Sequence, residues 1–244
     1  RDENDRSIAT GSGAPTRLRE ICEVSLKNLG VEYIDTLCQS RVDPSIPIEE
    51  SVGAIKRLVE EGKVRFVGLS EAAPDTIRRA SKVHPLISLQ FEYSLWTRDV
   101  EKGHHDTCTN LGMALMAYAP LGYGFLAGAV NSPGAQSKDD IRGKFPRFFE
   151  KNYTKNRECV SQLENFAASM GVTAAQISLA WLLAQGENIF PIPGCKSRVH
   201  LSENLDAIDV KLTSENLVRL DKIFHGKSVD GDRYPPNGMK RVNL

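Results

Sequence analysis

The sequence predicts an α/β fold and, within that class, a (β/α)8 TIM barrel. Three observations predict it. Short apolar runs of four to six residues recur along the 244-residue chain, as in strands buried on both faces of a parallel sheet. Amphipathic helical patterns lie between them. No G-x-G-x-x-G follows the first strand, the usual signature of an open dinucleotide-binding sheet. The glycines Gly122, Gly124 and Gly128 come after a late strand and at the wrong spacing. Five strands are legible where a barrel needs eight. The expectation is therefore that only the last five βα units are present, with the shortage at the N-terminus.

The elements follow in order. Leu18, Ile21, Cys22, Ser25 and Leu29 share one helical face, and Tyr33 to Cys38 reads as the first strand. Ile48, Val52, Ile55 and Val59 form the next helical stripe, stopped by Gly62 before a strand from Val64 to Leu69. Pro74 opens a helix at its first turn, where a missing N–H is harmless. Strands are expected from Leu86 to Leu89 and from Met113 to Tyr118. Val160, Leu163, Ala167 and Met170 make a stripe ended by Gly171. Thr173 with Gln176 is a capping box ahead of Ile177, Ala180, Trp181 and Ala184. The last strand is Ile189 to Ile192. It is followed by a stripe of Leu201, Leu205 and Ile208, then by Thr213 as N-cap to Leu217, Leu220 and Phe224. Residues 1–244 read as a single domain. The strands 113–118 and 189–192 flank a segment, 119–171, too long for a median loop.

Composition narrows the function classes. Lys plus Arg and Asp plus Glu both number 31, so the net charge is zero. That excludes a polybasic nucleic-acid binder as the default reading and argues against recruitment to anionic membranes. No stretch of about 18 apolar residues is present to span a bilayer. The five cysteines are scattered and form no C-x-x-C. They fit reduced thiols and a cytoplasmic location, not a disulfide scaffold or zinc site. His104-His105 has no further ligands at suitable spacing, so no metal is expected. The chain starts at Arg1 with no signal-peptide pattern and is expected to be a fragment.

In a barrel the chemistry sits where strands end. The five strand ends read Gln39-Ser40-Arg41, Gly68-Leu69-Ser70-Glu71, Gln90-Phe91-Glu92-Tyr93, Tyr118-Ala119-Pro120-Leu121-Gly122 and Pro193-Gly194-Cys195-Lys196-Ser197-Arg198. Polar, aromatic and glycine residues recur at each of them.

These residues carry a resemblance. Leu26-Lys27-Asn28-Leu29-Gly30-Val31-Glu32-Tyr33-Ile34-Asp35, Arg41-Val42-Asp43-Pro44 and Gly68-Leu69-Ser70-Glu71 are among the segments concerned. Glu92-Tyr93-Ser94-Leu95-Trp96, Tyr118-Ala119-Pro120-Leu121-Gly122 and Pro191-Ile192-Pro193-Gly194 continue the series in order. Together they resemble the aldo-keto reductases, in particular their short-loop microbial and plant branch. The resemblance implies an NADP(H)-binding barrel that reduces an aldehyde or ketone to an alcohol. It also implies a small-molecule carbonyl substrate, with secondary metabolism or detoxification as family-level settings.

Position by position, the resemblance implies that Tyr118 stacks on the nicotinamide and that Ser70 and Gln90 hold its carboxamide. Backbone groups of Ala119, Pro120, Leu121, Gly122, Tyr123, Gly124, Phe125, Leu126 and Gly128 would meet the pyrophosphate. Gly194, Lys196, Ser197, Arg198, His200, Glu203 and Asn204 would grip the adenosine and its 2′-phosphate. The segment 119–171 would cover the cofactor or substrate. Residue chemistry agrees: glycine admits close approach, a helix N-terminus favours an anion, and lysine adds charge. The family's Asp, Tyr and Lys come from the first three barrel strands and have no match in this chain. Its catalytic His position is Ser40, which can hydrogen-bond a carbonyl but cannot become cationic near neutral pH. Ser40 and Trp96 are the expected substrate contacts. Activity is expected in a full-length parent. The alternative is a catalytically inactive truncated remnant, at most a nucleotide-binding or scaffold protein.

Overall fold

The computed structural model describes residues 13–134, 137, 139–225 and 228–244. Five strands form one sheet in the order β1-β2-β3-β4-β5. They are β1 (Ile34–Gln39), β2 (Val64–Ser70), β3 (Leu86–Glu92), β4 (Ala114–Tyr118) and β5 (Ile189–Ile192). The contacts of the described residues divide into two compact units, one within 13–91, 103–115 and 241–244 and the other within 92–102 and 116–240.

In the first unit, α1 (Pro15–Leu29) begins with a proline in its first turn and stops at Gly30, whose φ of 67° only glycine adopts freely. The acids Glu49 and Glu50 sit in the first turn of α2 (Ile48–Glu60), where they favour the helix dipole. Of its expected stripe, Ile48, Val52 and Ile55 are buried and Val59 is half-buried; Leu58, outside the stripe, is inaccessible, as are Val67 and Leu69 on β2 and Leu89 on β3. α3 (Pro74–Ser81) starts at the predicted proline. β1 and β2 pair in parallel with Cys38 opposite Gly68, and β2 and β3 with Ser70 opposite Gln90. This register brings the ends of three strands level, which is what positions the site.

β3 runs to Glu92, three residues beyond the expected Leu89, and carries polar Gln90 within it. α4 (His104–Asn110) was not expected, because His-His-Asp-Thr-Cys-Thr-Asn has no apolar period. His104 is a core residue there: its Nε2 lies 2.9 Å from Asn243 Oδ1 and its ring 4.5 Å from Phe91.

In the second unit, α5 (Glu150–Ser169) starts well upstream of the Val160–Met170 stripe. The non-helical part of 119–171 therefore ends at Phe149, with short 3₁₀ turns at Gly122–Gly124, Ile141–Lys144 and Pro146–Phe148. Thr173 and Gln176 close the expected capping box of α6 (Ala174–Leu183), which buries Ile177 and Trp181. α7 (Arg198–Asp206) and a 3₁₀ turn, Ala207–Asp209, form over the stripe of Leu201, Leu205 and Ile208, which are 50%, 55% and 60% exposed. A second capping box, Thr213 with Asn216, starts α8 (Ser214–Ile223), and α9 (Pro236–Met239) is a single turn. No single helix among the described residues is long and apolar enough to cross a membrane.

Candidate active site

In the first unit the strand ends carry the expected polar groups. Ser40 is exposed directly after β1. Arg41 Nη1 donates to the Ser40 carbonyl at 2.6 Å and to Ser70 Oγ at 3.0 Å. Ser70 is only 3% exposed. With its oxygen accepting from a guanidinium, its own proton is free to be donated, as to a carboxamide oxygen. Gln90 lies opposite Ser70 and is half-buried. Glu71 turns the chain out of β2 with a φ of 52°, and its N–H donates to the Gln90 carbonyl at 3.0 Å. A non-glycine residue held in the left-handed region costs on the order of 1–3 kcal/mol and tends to occur at functional sites. Burial pushes the Cys38 thiol up to about 12 against the charge of Arg41, so it is inert at neutral pH.

The second unit repeats the strained exit. Ala119 leaves β4 with a φ of 47°, and Tyr123 has a φ of 58°. Beside them the Tyr118 hydroxyl meets that of Tyr234 at 2.8 Å, and the Tyr123 hydroxyl meets it at 3.3 Å. Burial first, and then the charge of Glu92, raises both Tyr123 and Tyr234 well above the usual phenol range. Tyr93 is raised too, by burial and then by Glu101, to which its hydroxyl donates at 2.8 Å.

Below the tyrosines lies a buried ionic cluster. Glu92, 1% exposed, accepts from the Thr97 hydroxyl at 3.0 Å. It is flanked by Arg233 Nη1 at 3.5 Å and Arg147 Nη1 at 4.0 Å. Arg147 also donates to Thr97 Oγ1 at 2.5 Å and to the Gly231 carbonyl at 3.2 Å. Burial lowers the pKa of Arg147, the charge of Glu92 opposes that shift, and Arg233 adds to it. Asn156 completes the clamp, donating to the carbonyls of Arg147 and Asp230 at 2.9 and 3.0 Å. The segment carrying Arg233 and Tyr234 is thus fastened beside Tyr118.

After β5 the chain is open. Residues 194–202 are exposed, and Glu203 and Asn204 are half-buried. Ser197 caps α7, accepting from the His200 N–H at 3.1 Å. A Cβ added at Gly194 would meet nothing within 4 Å. Among the described residues, neither Lys196 nor Arg198 has an ion-pair partner. Unneutralised cations at a helix N-terminus suit an anionic ligand.

Several expected site residues also have packing roles. Trp96, expected as a substrate contact, is 4% exposed, stacked on Phe125 at 4.8 Å and edge-on to Phe148 at 5.7 Å. It is a core side chain. Phe125 and Leu126 are buried as well, so only their backbones remain for a ligand. The absent side chain of Gly122 makes room for Trp96, whose indole would lie 2.7 Å from an added Cβ. Gly128 makes room for Glu164, 2.5 Å away by the same measure. Sequence reasoning missed Arg147, Arg233 and Tyr234 and gave Glu92 no role. The available signal was a lone arginine in the aromatic run Phe145-Pro146-Arg147-Phe148-Phe149.

Residues 6–225 match the aldo/keto reductase family. The chain belongs to that family. It is 44% identical over 222 residues to a probable aldo-keto reductase of Glycine max, covering 91% of this chain. The chain spans 64% of the length of that relative. A glycerol dehydrogenase from Gluconobacter oxydans of known structure is similar, with a TM-score of 0.81 and 27% identity. That match covers 91% of this chain and 69% of the dehydrogenase. A thermostable aldo-keto reductase, crystallised with the inhibitor epalrestat, has a TM-score of 0.68 and 29% identity, covering 88% of this chain and 68% of its own. Five parallel strands alternating with helices, together with these neighbours, fit the family's (β/α)8 barrel.

Proposed function

We propose that the chain serves an NADP(H)-dependent oxidoreductase that reduces an aldehyde or ketone to an alcohol, and that these 244 residues carry its cofactor-holding groups. The observation that carries this is the exposed segment after β5 in a member of the aldo/keto reductase family. Lys196 and Arg198 stand there without carboxylate partners among the described residues, at the start of α7 and beside Gly194. That donor set fits a nucleotide phosphate. A guanidinium or ammonium contact to a 2′-phosphate favours NADPH over NADH.

In the second unit Tyr118, its hydroxyl fixed by Tyr234, offers a ring face for stacking, and the 119–128 segment offers backbone groups. In the first unit Ser70 and Gln90 offer a donor and an amide suited to a carboxamide. The bound cofactor would supply the hydride. What these residues do is bind and orient.

The proton donor is a separate matter. Tyr93 is buried and Tyr123 half-buried; they are bonded to Glu101 and Tyr234, and both are weaker acids than free tyrosine. Neither is poised to protonate an alkoxide. The chain by itself is therefore expected to consume NADPH with a reactive aldehyde no faster than a protein-free control.

The test is a fluorescence titration of the chain with NADPH and NADH. NADPH should bind at least about tenfold tighter, and Lys196→Ala and Arg198→Ala should remove most of the difference, since a charge-assisted phosphate contact contributes about 1.5–3 kcal/mol. Equal affinities, unchanged in both variants, would sink the proposal.

A further inference from the structure

In the first unit, Arg41 and Arg241 form no ion pair with a carboxylate among the described residues. Arg41 uses Nη1 on the Ser40 carbonyl and the Ser70 hydroxyl, which leaves the rest of its five-donor fork available. Arg241 belongs to the same unit. Its neighbours are tied to the exit of β2: the Asn243 N–H donates to the Glu71 carbonyl, and the Ala73 N–H to the Leu244 carbonyl, both at 2.7 Å. Arg241 Nη2 is buried and has no hydrogen-bond partner. The two guanidinium groups feel one another, for burial and then the charge of Arg41 lower the pKa of Arg241. Asp43, two residues from Arg41, is occupied: Oδ1 accepts from the Ser45 N–H at 3.0 Å and its hydroxyl at 2.6 Å. Neither arginine forms an ion pair among the described residues.

A buried guanidinium N–H without an acceptor, near a second cation, is an unfavourable arrangement that an oxyanion would relieve. We propose that Arg41 and Arg241 form an oxyanion-binding site beside Ser70 that holds a carboxylate of the substrate, so that the carbonyl compounds taken are carboxylate-bearing ones. The substrate assignment rests on the reductase reading above; the anion site itself does not. Two guanidinium forks match the planar, bidentate geometry of a carboxylate. They also place permanent positive charge next to Ser40, which a serine hydroxyl cannot supply.

The test is a saturation-transfer NMR titration of the chain at fixed ionic strength with pyruvate, its uncharged isostere pyruvamide, and inorganic phosphate. Pyruvate should bind at one saturable site, with pyruvamide at least about tenfold weaker. Arg241→Gln and Arg41→Gln should each weaken pyruvate roughly tenfold or more, and Arg241→Lys should recover part of the loss. Circular dichroism of each variant establishes that it is folded, and either Gln variant suffices if the other is not. Absence of pyruvate binding, equal binding of pyruvamide, or affinities unchanged in the folded variants overturns the site. Phosphate binding tighter than pyruvate overturns the assignment to a substrate carboxylate. A chain that binds pyruvate through both arginines but binds no NADPH contradicts the reductase reading and leaves the anion site standing.

Discussion

Replacing Glu92 with Gln should destabilise the chain far more than its conservative shape suggests. Glu92 is 1% exposed, Arg233 4% and Arg147 9%. The substitution leaves two buried guanidinium groups facing a neutral amide. Breaking a buried pair by removing one partner costs about 3–5 kcal/mol, because the surviving charge stays desolvated. The low end applies here. Arg147 keeps the Thr97 hydroxyl and the Gly231 carbonyl, and Arg233 keeps Asp99 at 3.6 Å. About 3 kcal/mol, at about 2–4 °C per kcal/mol for a chain of this size, lowers Tm by roughly 6–12 °C. Urea unfolding followed by far-ultraviolet circular dichroism gives the free energy, and a thermal scan gives Tm. The partners should also couple: Glu92→Gln with Arg233→Gln should fall short of the sum of the two by about 1–3 kcal/mol. A Glu92→Gln variant within about 1 kcal/mol of the parent would show that the cluster is better hydrated than the structure indicates.

Two further outcomes follow from packing and titration. Gly122→Ala places a Cβ 2.7 Å from the Trp96 indole at a φ of 55°; it should cost about 2–4 kcal/mol in urea unfolding, from overpacking plus the left-handed backbone. With an aromatic disulfide reagent at pH 8, exposed Cys195 should react fast, while Cys38 and Cys108, both pushed up to about 12 by burial, should stay slow until the chain unfolds. Because these two thiols hold their protons more tightly when folded, their linkage contribution is complete below the ordinary thiol pKa. It should be lost as pH rises from about 9 toward 12, where equilibrium unfolding curves should shift to lower urea.

Strand and helix positions were legible because buried parallel strands and amphipathic helices leave different periods. Ile189–Ile192, the proline start of α3 and both threonine caps appear where the pattern puts them. α4 was not legible because its polar run has no period, and its burial depends on Phe91 and Asn243, distant in sequence. At the site, Tyr118 and Lys196 could be reached through the resemblance. The Tyr118–Tyr234 contact joins residues 116 positions apart, and no local pattern announces such a pairing. At the glycines the sequence leaves a packing role unseen: the missing side chains of Gly122 and Gly128 accommodate Trp96 and Glu164. The left-handed Glu71 and Ala119 were invisible because neither residue type signals that backbone.

The central claim, that these residues hold NADP(H), is tested most directly by amide hydrogen exchange of the 244-residue chain, read by mass spectrometry with and without saturating NADPH. Peptides covering residues 119–128 and 193–204 should exchange more slowly with the cofactor, and the protection at 193–204 should weaken in the Lys196→Ala, Arg198→Ala double variant. Unchanged exchange in both segments, or protection confined to other parts of the chain, would contradict the account.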